Sequence, residues 1–127
     1  MIIGIGNDII EQSRIKKACE KDAFLSRVFT NHERELIKIH PEKAAGCWAV
    51  KEAVVKIFGT GFGKVQPADI EVLRNEKGAP YVNLLGAAAE EADRLGIRRI
   101  HVSISHTKDL VSAVAIGEGW CQDETIG

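Results

Sequence analysis

The chain has 127 residues, 45% of them hydrophobic and 28% charged, and a net charge of −1, which fits one soluble domain with a modest core. That balance excludes a dedicated nucleic-acid binder, which would carry a strong basic excess. Cys19, Cys47 and Cys121 form no CxxC pair or disulfide framework, so they read as reduced thiols in a cytoplasmic protein. The start lacks a signal-peptide pattern, and no apolar run approaches the roughly 18 residues of a membrane helix.

Residues 2–6 read as a short buried strand that ends at Asn7-Asp8, followed by helical spacing from Glu11 to Lys21. Thr30-Asn-His-Glu33 has the capping-box pattern and predicts a second helix, which His40-Pro41 breaks. Pro41 is placed to open a long helix that runs to Phe58 and closes at Gly59. The loop 59–63 leads to strands at 69–73 and 81–85 around an Asn75–Gly78 turn. Ala87 to Leu95 predicts a helix closed by Gly96, and residues 100–105 and 110–116 a final strand pair around the turn 106–109. The expected fold is α+β, an antiparallel sheet packed with a long buried helix, with one domain over 1–117 and a polar tail over 118–127.

The long helix is the informative element. From Ala44 to Phe58 only Lys51, Glu52 and Lys56 are charged, and they are read as one narrow stripe on an otherwise apolar helix. A surface pair at i,i+4 would be worth only about 0.3–0.5 kcal/mol. Flanked by Ala45, Trp48, Ala49 and Val55, the pair Glu52 and Lys56 instead suits a site where a carboxylate binds a cation and an ammonium meets phosphate. Asp8, read alone, is an N-cap for the helix that follows. Read with Glu52, it supplies a second hard carboxylate of the kind Mg²⁺ takes together with phosphate oxygens.

Other features are weaker. Ser103-Ile-Ser-His106 has no GxSxG elbow, and strand alternation puts the serines opposite His106, so a serine nucleophile is rejected. His106-Thr107-Lys108 reads equally as a polar turn or as a phosphate-receiving one. The loop from Gly59 to Lys64 fails the phosphate-loop spacing and reads as a helix cap and turn. Arg14, Lys17 and Lys21 recur on one helix face, which is more often a solvated face than a dock for an acidic partner.

Three segments together change the weights. Gly4-Ile-Gly-Asn-Asp-Ile-Ile-Glu11, Trp48-Ala-Val-Lys-Glu-Ala-Val-Val-Lys56 and His101-Val-Ser-Ile-Ser-His106 resemble, in order and spacing, the signatures of the holo-acyl-carrier-protein synthases. These are small 4′-phosphopantetheinyl transferases of bacterial fatty-acid synthesis. The resemblance implies transfer of the phosphopantetheine arm of coenzyme A to a serine of apo-acyl carrier protein, releasing adenosine 3′,5′-bisphosphate. It implies Asp8 and Glu52 as Mg²⁺ ligands and Lys56 as the phosphate and leaving-group contact. Gly78 and Pro80, with His106 and Thr107, would bind coenzyme A, and Arg14, Lys17 and Lys21 would meet the acidic carrier. It further implies a homotrimer with sites between subunits. The rival reading is a non-catalytic paralogue that binds coenzyme A or a carrier, and intact Asp8, Glu52 and Lys56 argue against it. The family often has arginine where this chain has Cys47; the loss implies weaker coenzyme A binding, with Lys43 one turn earlier as partial compensation.

Overall fold

A computed structural model describes residues 1–120 of the chain. Strand β1 (Ile2–Glu11) leads into helices α1 (Gln12–Ala18), α2 (Asp22–Val28), α3 (Asn31–Ile39) and α4 (Lys43–Phe58). A 3₁₀ turn (Pro67–Asp69) precedes β2 (Ile70–Arg74) and β3 (Pro80–Leu84), and then come α5 (Gly86–Leu95), β4 (Ile97–His106) and β5 (Leu110–Gly119). The sheet order is β1-β5-β4, all antiparallel, with β2 and β3 forming a separate antiparallel pair. This is the α+β architecture expected, with α4 as its buried centre.

Alternation along the strands explains the packing. Gly4, Gly6, Asp8 and Ile10 of β1 turn toward α4, whereas Ile5 and Ile9 turn to the opposite face and are 65% and 63% exposed. Gly6 is required where it stands, because a Cβ there would overlap the Ala53 carbonyl. Helix α4 buries Ala44, Cys47, Ala49, Val50, Ala53, Val54 and Val55 almost completely. It ends at Gly59, whose φ of +76° is a left-handed cap, and Gly96 closes α5 in the same way at +78°. Thr30 and Glu33 form both halves of the capping box of α3.

Five expectations change. β1 does not stop at residue 6: it pairs with β5 as far as Glu11, so Asp8 lies within the strand, opposite Ala113, and is no cap. The first helix stops at Ala18, where Cys19, Glu20 and Lys21 turn back on α1 carbonyls. Lys21 therefore precedes α2 and leaves the face shared by Arg14 and Lys17. Pro41 sits in a turn, and α4 begins two residues later. His106 is the last residue of β4, paired with Val111, so the turn comprises 107–109. β5 continues to Gly119, and residues 121–127 of the expected tail, with Cys121, lie outside the described residues.

Candidate active site

The charges of α4 divide between two environments. Successive helix positions differ by about 100°, enough to send Lys51 and Glu52 to different neighbours. Lys51 is 0% exposed; its Nζ donates to Glu33 Oε1 at 2.8 Å, to Pro67 O at 2.9 Å and to Ile70 O at 2.5 Å. Glu33 Oε2 accepts from Val72 N at 2.8 Å. This satisfied buried pair ties α3, α4 and β2 together and shares no stripe with Glu52. Burial lowers the Lys51 pKa, and Glu33 opposes the shift.

Lys56 reaches the other way. Its Nζ donates to Asn7 O at 2.7 Å and to Asp8 Oδ1 at 3.1 Å. The ion pair is thus with Asp8 of β1, not with Glu52 one turn back on the same helix. The tight fit of Gly6 against Ala53 and Lys56 Cβ sets this geometry, since it draws β1 onto α4 just before Asp8. Glu52 is half-buried beside them; burial raises its pKa first, the Asp8 charge adds to the rise, and Lys56 opposes it. Two carboxylates therefore crowd one ammonium. Asp8 Oδ2 is buried with no hydrogen-bond partner, an orphan that a cation would satisfy. Among the described residues no group of three or more His, Cys, Asp or Glu gathers to hold a metal. The donor set is the sparse, all-oxygen kind that fits Mg²⁺, an ion that keeps several waters and binds phosphate as well.

The remaining predicted residues collect elsewhere. Gly78 follows the Asn75–Lys77 turn at a φ of +83°, and Pro80 opens β3. His106 ends β4 with the same strand parity as Ile104, whose Cδ1 would lie 3.3 Å from a Cβ on Gly46. Thr107 is occupied locally: its Oγ1 accepts from Leu110 N at 3.1 Å and its carbonyl accepts from Gln12 Nε2 at 2.7 Å. Within one chain these groups do not join Asp8, Glu52 and Lys56. β1 and β4 are the two edges of the sheet, separated by β5, or about 10 Å.

A cleft of about 870 Å³ lies among Glu11, Ile15, Lys16, Glu42, Ala45 and Lys108, and none of the predicted catalytic residues lines it. Arg14 and Lys17 are exposed on α1 beside it. Arg74 was not singled out from sequence. Its guanidinium lies against Gly46, its charge is felt by the Cys47 thiol, and its Nε is buried without a partner. The available sequence signal was only its place, the last strand residue before the Asn75–Gly78 turn.

Comparisons with known proteins show the family. Residues 4–115 match the family model of the 4′-phosphopantetheinyl transferase superfamily. The chain belongs to that family. A holo-[acyl-carrier-protein] synthase of Lachnoclostridium phytofermentans is 54% identical over 118 residues, covering 93% of this chain and 97% of the relative. One from Clostridium tetani is 46% identical over 125 residues, covering 95% and 99%. Among solved structures, the Bacillus anthracis holo-(acyl-carrier-protein) synthase in complex with CoA (3′,5′-ADP) superposes with a TM-score of 0.79 at 36% identity, over 94% of this chain and 99% of that one. The Helicobacter pylori enzyme in complex with coenzyme A gives 0.79 at 32% identity, over 90% and 99%.

Proposed function

We propose that the protein transfers the 4′-phosphopantetheine arm of coenzyme A to a serine hydroxyl of an apo-acyl carrier protein, releasing adenosine 3′,5′-bisphosphate. The observation that carries the reading is the cluster of Asp8, Glu52 and Lys56, with a stranded carboxylate oxygen, in a chain of this family.

The residues serve the reaction as follows. The serine oxygen forms a bond to the phosphorus that bears the pantetheine arm, and the bond from that phosphorus to the bridging oxygen of the nucleotide breaks. Lys56 holds the phosphate and neutralises charge developing on the leaving oxygen. Asp8 keeps the Lys56 ammonium in place and, with Glu52, would hold Mg²⁺. That ion, when bound, polarises the phosphoryl oxygens. The serine proton passes to Glu52 or to water. Gly78, Pro80, His106 and Thr107 form the coenzyme A side. Arg14 and Lys17 offer a basic dock to an acidic carrier, and Lys21, displaced to the start of α2, would meet its edge.

The same reading takes the active unit as a homotrimer with sites between subunits. Cys47 and Lys56 are nine residues apart on α4 and point to opposite sides of it, about half a turn around the axis. A half-site facing each way is what an interface between copies would complete. The sheet face away from α4 exposes Ile5 and Ile9 beside Val114 and Ile116 of β5, an apolar surface that association would cover. No described helix is long and apolar enough to cross a membrane, and the free thiols of Cys19 and Cys47 suit work in the cytoplasm.

Incubation with apo-carrier, coenzyme A and Mg²⁺, followed by mass spectrometry, tests the reading. The expected result is phosphopantetheine on the carrier serine, absent with Glu52→Ala and with chelator. An unmodified carrier from the wild-type protein would overturn it.

A further inference from the structure

We propose that Arg74 binds the 3′-phosphate of coenzyme A from β2, in place of the arginine that α4 lacks at position 47. The inference rests on the transferase reading above and assigns one residue within it.

Arg74 is half-buried at the end of β2. Its Nη1 donates to Gly78 O at 3.3 Å, and a Cβ on Gly46 would lie 3.5 Å from its Nη2. Its Nε is buried without a partner, and none of the salt bridges among the described residues includes it. A guanidinium nitrogen withdrawn from water with its donor unspent is costly, and the half-exposed Nη groups beside it leave the fork open to an anion. Its planar fork matches phosphate better than an ammonium does.

The surroundings show which anion fits. Gly46 puts no side chain of α4 against the guanidinium, and it also rests on Ile104, two residues before His106. Arg74 therefore sits among the residues assigned to coenzyme A: Gly78, Pro80 and His106. Coenzyme A carries phosphate at only two places, the reacting pyrophosphate and the 3′-phosphate. Lys56, Asp8 and Glu52 serve the first from the far side of α4. The second is left for Arg74. Lys43, one turn before Cys47, is the rival cation, but it has no stranded donor.

The test compares coenzyme A with 3′-dephospho-coenzyme A as donor. The wild-type protein should show a KM for the dephospho donor about tenfold higher, the effect of one charge-assisted bidentate contact. Arg74→Met should raise the coenzyme A KM to that level and leave the dephospho KM where it was. Arg74→Lys should fall between, and Cys47→Arg in the Arg74→Met background should restore the preference. Equal effects on both donors, or the same loss of preference from Lys43→Met with none from Arg74→Met, would overturn the assignment. Two measurements need no transfer and no folded variant: calorimetry of adenosine 3′,5′-bisphosphate and of adenosine 5′-phosphate binding to the wild type. Equal affinities overturn the assignment even if carrier modification succeeds. A tenfold preference supports it even if modification fails, in which case only the transferase reading falls.

Discussion

Gly6 of β1 lies against Ala53 of α4 so closely that a Cβ on Gly6 would overlap the Ala53 carbonyl and come within 3.1 Å of Lys56 Cβ. The bond between Lys56 and Asp8 depends on this approach, because Asp8 follows two residues later on the same strand face. Gly6→Ala should push β1 off the helix at about 1–3 kcal/mol. Chemical denaturation would measure that loss. Carrier modification should fall more than stability alone accounts for, since the Lys56 ammonium loses its anchor.

Lys51 and Glu33 predict an asymmetry. Lys51→Met should leave Glu33 buried and unpaired, destabilising the fold by about 3–5 kcal/mol. The double variant Lys51→Met with Glu33→Leu should recover part of that, although Val72 N and Thr30 N then lose their acceptor. A thermodynamic cycle of denaturation midpoints measures the coupling, and additive losses would refute it.

Glu71 predicts a pH effect. Burial pushes its pKa up, but hydrogen bonds from Thr30, Asn83 and His32 outweigh that and hold it below its ordinary value of 4.5. A depressed folded pKa means that the stabilisation is present above the unfolded value and is lost as pH falls through the folded one. Glu71→Gln should therefore be less stable than wild type at pH 7, and the gap should close progressively below about pH 4.5. Thermal unfolding across pH 3–7 would show whether it does.

Ile5 and Ile9 predict an assembly effect. Ile5→Glu with Ile9→Glu places two charges on the sheet face away from α4, where neither side chain supports the core. The variant should stay folded by circular dichroism, run as a monomer in light scattering and lose carrier modification. Retained activity as a monomer would rule out shared sites.

The sequence revealed the local signals well. The Thr30–Glu33 box, the Gly59 and Gly96 caps and the pairing of β4 with β5 all rest on short-range chemistry that a few neighbouring residues determine. Long-range partners were hidden. Lys51 looked like a neighbour of Glu52, and only the carbonyls of Pro67 and Ile70, with Glu33 from α3, draw it the other way. Glycines at 4 and 6 permit a close approach, but that the approaching backbone is α4, and that the strand runs on past Asp8 to Glu11, only the folded packing reveals. Lys21 was lost from its face because helical spacing continues across a turn that Cys19 and Glu20 make.

The opposed directions of Cys47 and Lys56 around α4 carry a consequence for regulation. If each chain holds half of two different sites, catalytic capacity depends on encounter between copies, and dilution alone would switch it off. Two inactive proteins, one lacking Glu52 and one lacking His106, would then regain activity on mixing, because some interfaces would pair an intact half from each.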